Sequence, residues 1–433
     1  MTIAGPLIPY LLDWLALLVR WLHLVTGIAW IGASFYFVWL DNHLQPPLDA
    51  AHTEAGIGGE LWAVHGGGFY RSQKYRVAPA VLPPTLHWFY WEAYATWLSG
   101  FFLLCLLYFW RAEAYLIDPA VAALTKPAAI ALALAAIVSS WLIYDGMCRS
   151  PLARHGRALA LVLAVLAAVL AWSLCHWFSG RGAFMLFGVA LGTIMVANVL
   201  FVIIPGQRDM VRAKRENRAP DPQGGLRGKQ RSVHNTYFTL PVLFVMLSNH
   251  YAMTYGARYN WLVLIAMSFA GACIRAWFVA RHKPLEHGGF AAALPAVLGL
   301  LALAVVVVTL APVPIAGANA QLAALPVDAA RVQTIVTQRC APWHATRPAQ
   351  PGFNAAPNGL VLETLQQIEN HGGEVSLQLT THAMPRGNLT GMTDEERAQL
   401  TSWASQSAAS PSASGASPSA ALRNGVSGSG VAP

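Results

Sequence analysis

Between residues 12 and 311 the chain repeats one pattern eight times: a long apolar run, then a short polar connection. The runs lie at 12–40, 87–110, 127–145, 158–178, 183–204, 236–255, 260–280 and 290–311. Each supplies the roughly 20 residues that an α-helix needs to cross a bilayer. The first run is long and lacks a small-residue cleavage site, so it reads as a retained anchor rather than a signal peptide. The connection 206–232 is polar and basic and contains Pro220, Pro222 and Gly224-Gly225. It is expected to be a loop that sets topology and touches anionic membrane lipid.

Past residue 311 the pattern changes. A Pro/Ala linker is expected over 312–328, a small helical domain over 329–406, and a disordered Ser/Ala/Gly/Pro tail over 407–433. The small domain opens with an amphipathic lead-in (Val332, Ile335, Val336) and closes with a helix from Thr393 to Ala404. Thr393 is a good N-cap, and Asp394-Glu395-Glu396 suit a first helical turn. The expected fold is therefore all-α: a polytopic membrane bundle of about eight helices over 1–311, followed by the small domain.

Composition and charge sharpen this picture. Of 433 residues, 55% are hydrophobic and only 11% charged, about half the charged share of an ordinary soluble chain. The net charge of +8 is not a nucleic-acid signature, because the basic residues gather in connections between apolar runs. The connections after runs one, three, five and seven carry 16 Lys and Arg, from Arg71 to Lys283. The opposite set holds Arg111, Lys126, Arg181 and Arg258, with Arg20 as a marginal fifth. By the positive-inside rule the first set faces the cytoplasm, leaving both termini and the small domain in the periplasm of a bacterial inner membrane. The five cysteines (Cys105, Cys148, Cys175, Cys273, Cys340) give no disulfide framework.

Ionisable groups inside apolar runs are expensive, so each is a functional candidate. His23 lies in the periplasmic half of run one, where it can ligate a cofactor or hydrogen-bond to a neighbouring helix. Run two begins with His87, and His87 and Trp91, or Trp88 and Glu92, would share a helical face. A carboxylate at Glu92 needs a partner. Upstream, His65-Gly66-Gly67-Gly68 permits either a turn or a close backbone approach to a ligand. Run six carries His234-Asn235 at its cytoplasmic start and Asn249-His250 towards the periplasm. His23, His176 and His250 thus share periplasmic depth, and a haem b between two of them, such as His23 and His250, is geometrically allowed. Arg275 in run seven cannot deprotonate and must find an anion: a buried carboxylate such as Glu92 or Asp145, or an anionic substrate.

The segment Cys340-Ala341-Pro342-Trp343-His344 nearly spells C-x-x-C-H, the attachment motif of a c-type haem. Met384, forty residues after His344, supplies a thioether where a second axial ligand would stand. Trp343 occupies the place of the second cysteine, so only Cys340 can form a thioether bond. A helix bearing this motif, a methionine loop and a final helix resemble a small cytochrome c domain.

Three stretches carry a wider resemblance: Arg20 to Asn42, His87 to Gly100, and the run from Met384 to Thr393. They resemble the bacterial membrane-bound urate hydroxylases, in which an eight-helix membrane domain is fused to a C-terminal cytochrome c. That resemblance implies oxidation of urate to 5-hydroxyisourate in purine breakdown. It also implies electron exit through the cytochrome to a respiratory-chain acceptor. The haem c would map onto Cys340, His344 and Met384. Arg275, Glu92, His87, His234 and Asn235 form the expected substrate-side set, since urate is a planar anion that calls for a cation, aromatic surfaces and hydrogen bonds. Two rival readings are a non-enzymatic membrane haem or quinol carrier and a transporter whose cytochrome domain is degenerate.

Overall fold

Inside a bilayer every backbone N–H and C=O must be satisfied within its own segment, which makes helix the default for long apolar runs. The computed structural model describes residues 4–281, 288–311, 328–350, 356–381, 384–385, 388 and 390–409. It is 73% helical with little strand, an all-α polytopic bundle. Contacts divide the chain into two units, Met1–Pro314 with Thr381–Met392, and Ile315–Thr380 with Thr393–Pro433. Residues 312–327 of the expected linker, and the expected tail beyond residue 409, lie outside the described residues.

The first unit contains α1 (Ala4–His43), a hairpin of β1 (Ile57–His65) and β2 (Gly68–Tyr75), then α2 (Trp91–Leu103) running on into a π-turn at Leu104–Phe109. Next come α3 (Lys126–Arg149), α4 (Gly156–Trp177) and α5 (Gly180–Asn198). A second π-turn, Val199–Ile203, carries α5 into α6 (Ile204–Arg215). The unit is completed by α7 (Pro222–Ser248), α8 (Asn260–Ala280) and α9 (Gly288–Thr309). Among the described residues six helices are long and apolar enough to cross a membrane, which is compatible with a multi-pass membrane protein. The expected runs six and eight correspond to α7 and α9, which fall outside those six; polar residues such as His234 and Asn235 lower the apolarity of α7.

α5 is the central helix, with Ala183, Phe184, Leu186, Phe187, Leu191 and Ile194 all buried. It can approach α7 closely because residue 188 is glycine: a Cβ there would lie 2.4 Å from Val245 Cγ2. On α3, Ala129, Ala133 and Ala136 recur at three- and four-residue intervals and turn one small-residue face inward. Large side chains on outer faces, such as Leu22 and Ile28 of α1 and Leu161 and Val165 of α4, are exposed, as lipid-facing positions should be.

Three sequence expectations change here. Run two does not begin a helix at His87: Pro83-Pro84 precede an irregular stretch, and α2 starts at Trp91. The connection 206–232 is mostly helical, so His234 lies in the middle of α7 rather than at the start of a helix. His250, by contrast, falls beyond the end of α7. The first basic connection is a hairpin rather than a loop. Its two-residue turn, Gly66 (φ 57°) and Gly67 (φ 80°), needs positive φ at both positions, which explains the glycine run without a ligand. Glu60 of β1, 2% exposed, accepts from Arg71 Nε at 2.9 Å and Leu48 N at 3.2 Å. The hydrogen bonds from Arg71 hold its carboxyl down to about 2.

The second unit holds α10 (Ala329–Arg339), α11 (Ala341–His344), α12 (Leu365–Asn370), α13 (Gly372–Thr380) and α14 (Asp394–Ala409). Val332, Ile335, Val336, Trp343, Ile368, Leu379 and Leu400 are among its buried residues. Thr393 and Glu396 form a capping box at the start of α14. Thr393 Oγ1 accepts from Glu396 N at 3.1 Å, and a Glu396 oxygen accepts from Thr393 N at 3.0 Å. α14 runs three residues into the stretch expected to be tail.

Candidate functional site

Arg275 projects from α8 into the bundle and is 7% exposed. Its guanidinium lies over the ring of Phe35 on α1, with Cζ 3.8 Å from the ring centroid. Nε and Nη2 are buried without a hydrogen-bond partner among the described residues. These two atoms form the side-on edge of the guanidinium, the edge that grips planar anions with two parallel N–H groups. A cation–π contact contributes about 2 kcal/mol when desolvated. An unpaired buried charge costs several kcal/mol, so the Phe35 contact does not offset it. Neither expected carboxylate supplies the balance. Asp145 serves Arg231 and Arg149, and Glu92, half-buried in the first turn of α2, forms no ion pair with Arg275 among the described residues. Arg275 is thus a buried cation with no carboxylate partner among the described residues.

A second polar cluster surrounds the two expected residues of α7. His234 Nδ1 lies 2.8 Å from Tyr144 Oη and 3.8 Å from Cys148 Sγ, both on α3. Asn198, at the end of α5, donates from its amide nitrogen to Tyr144 Oη (3.0 Å) and to Asn235 Oδ1 (2.9 Å). Asn235 in turn donates to Met195 O at 3.0 Å. Arg231 stands over the Tyr144 ring, 5.0 Å from its centroid, and donates to Asp145 Oδ1 at 2.7 Å. Tyr144, Asn198 and Arg231 were missed at the sequence level. A lone asparagine within run five was the available signal for one of them, and Arg231 was counted only as a loop cation.

All these groups share one half of the bundle. Tyr144 is near the end of α3 that leads to Arg149, Asn198 precedes basic α6, and Arg275 is close to Arg281. The other expected residues are not brought to either cluster. His87 is exposed in the stretch before α2, its ring against Phe89 at 4.7 Å. His23 turns towards α2, its Nδ1 2.9 Å from Thr96 O and 3.1 Å from Ser99 Oγ. His250 is exposed, and no described contact joins it to His23. His176 is bound to Trp172 O of its own helix at 2.7 Å.

In the second unit His344 is buried, with Nδ1 2.9 Å from Leu360 O. A carbonyl at Nδ1 orients a ring as metal-bound imidazoles are oriented, with Nε2 as the ligating atom. Cys340 is partly buried, and burial pushes its thiol up to about 12. Trp343 is 3% exposed, so its indole belongs to the interior, where its N–H has no acceptor among the described residues. Met384 is half-buried in the Thr381–Met392 stretch. The His344 imidazole and the Cys340 thiol are groups of the kind that hold a haem, the thiol through one covalent bond.

The family model described as urate oxidase N-terminal matches residues 9–310, more than half of the chain. No curated protein and no solved structure matches it. The match spans the helices that carry Phe35, Tyr144, Asn198, His234 and Arg275, and it ends before the Cys340 motif. The chain belongs to the urate oxidase N-terminal family.

Proposed function

We propose that the chain is a membrane-bound urate hydroxylase. It converts urate and water to 5-hydroxyisourate, two protons and two electrons, and passes the electrons to a respiratory acceptor rather than to oxygen. The observation that carries this reading is Arg275, whose Nε and Nη2 have no partner among the described residues and whose Cζ stands 3.8 Å from the Phe35 ring centroid. Urate is a planar anion, and a fork of two N–H groups beside an aromatic face suits its charge and its shape. Family membership supports the same substrate.

Of the expected substrate-side set, Arg275 binds the anion, and His234 is a base held in a fixed orientation by Tyr144. A positioned imidazole of this kind can take the proton released when water adds to the oxidised ring. Asn235 fixes Asn198 rather than touching substrate. Glu92, in the first turn of α2, and His87, in the irregular stretch before it, make no described contact with Arg275 or with the Asn198 cluster. His344, Met384 and Cys340 would hold a haem c, which when bound accepts one electron at a time. The charge asymmetry of the connections supports an inner-membrane protein with both termini in the periplasm. Trp343 favours one other reading, a transporter whose C-terminal unit is only an interaction module.

The test is turnover by the purified full chain with an artificial one-electron acceptor. Two acceptors should be reduced per urate consumed, without hydrogen peroxide. No urate consumption, with uptake of urate by reconstituted vesicles, would replace the enzyme by the transporter.

A further inference from the structure

Arg275 is not the only buried group with unused hydrogen-bonding capacity. Arg231, 2% exposed, gives Nη2 to Asp145, while Nε and Nη1 have no partner among the described residues. Asn198, 0% exposed, places its amide nitrogen between Tyr144 and Asn235, and its Oδ1 has no partner among the described residues. Tyr144 joins the two, accepting from Asn198 through its hydroxyl while its ring lies beneath Arg231. Buried donors and acceptors left unpaired are rare, and three in one connected set are rarer.

The charge state of the cluster narrows what could meet these groups. Arg231 is already balanced by Asp145, so it has no call for a second anion; a neutral carbonyl oxygen meets its free N–H. The Asn198 amide is locked by two donated bonds, which leaves Oδ1 as a fixed acceptor that only an N–H or O–H can satisfy. A π-turn begins immediately after Asn198, the kind of local widening that often accompanies a ligand site. Arg231 is contacted by Asp145 of α3 and Arg275 by Phe35 of α1.

We infer that Arg231, Asn198 and Tyr144, with His234 beside them, form a hydrogen-bonding subsite for the neutral amide edge of an oxopurine. The ring C=O faces Arg231 and the ring N–H faces Asn198 Oδ1. This rests on the urate reading, and it assigns the discrimination between oxopurines to Asn198. A purine methylated on that nitrogen presents carbon where Oδ1 needs hydrogen, and a site built for a polar partner rejects an analogue lacking it.

Equilibrium binding of radiolabelled urate to the purified full chain, with N-methylated urates as competitors, tests the assignment. The wild-type protein should bind urate and reject at least one N-methylated isomer by roughly a hundredfold. Asn198→Ala should bind urate roughly tenfold more weakly and lose most of that rejection, a change in ratio that a merely structural role would not produce. Arg231→Lys keeps the charge opposite Asp145 and should also weaken urate, which covers the case in which Asn198→Ala fails to fold. Unchanged affinity and unchanged rejection in the folded variants would overturn the subsite and leave its unmet groups to buried water. No urate binding by wild type would instead overturn the functional reading beneath it.

Discussion

In the proposed function Arg275 is the anion-binding side chain of the first unit. A lysine there would keep the charge but lose the planar fork and its stacking on Phe35. Arg275→Lys is therefore expected to raise the urate requirement by roughly tenfold or more, with membrane insertion intact. A steady-state titration with urate, beside a melting curve, checks this. Unchanged kinetics would make Arg275 structural. This residue was legible in the sequence because an arginine inside an apolar run has few bland explanations. Tyr144 and Asn198 were not, because tyrosine is common at helix ends and a single asparagine fits many interiors. Their significance arises only when α3, α5 and α7 are brought together. His87 misled for a related reason: hydropathy marks an apolar run but not the residue at which its helix starts.

At the scale of elements, caps and turns were the most readable features. Thr393 with the acidic residues after it foretold the start of α14, and the glycines after His65 foretold a turn. The helical character of 206–232 was hidden, since its prolines and glycines read as loop; yet Pro222 stands at the first position of α7, where proline is welcome. Glu396 offers a quantitative handle on the second unit. It accepts from Arg339 Nε at 2.9 Å and from the backbone of Thr393, and the Arg339 contact holds its carboxyl below the ordinary value of 4.5. A depressed native value means that this stabilisation is complete above pH 4.5 and is lost as pH falls through the native value. Hydrogen exchange across α10 and α14 in the full chain should accelerate as pH drops below that point, after correction for intrinsic rates. Glu396→Gln should flatten the dependence, and an equal pH response in both proteins would refute the role.

For the whole molecule, the alternation of basic and non-basic connections makes a topological claim. A reporter active only in the cytoplasm, fused after Pro220, should give signal, and the same reporter fused after Pro326 should give none. The reverse pattern would put the second unit on the side where c-type haem is not attached. The polar clusters around Arg275 and Asn198 sit in the half of the bundle beside the basic connections, so the same fusion also reports which compartment lies nearer the site. The all-α membrane architecture was plain from composition, because so few charges over so long a chain leave no other class.

The central claim is that urate gives its electrons to this chain and that they leave through the second unit. Anaerobic addition of urate to the purified full chain, followed by its visible spectrum, tests that most directly. The account predicts a haem spectrum in the oxidised protein that converts to the reduced form on adding urate, and a much weaker response in Arg275→Lys. A folded protein that shows no haem, or a haem that urate leaves oxidised, would contradict it.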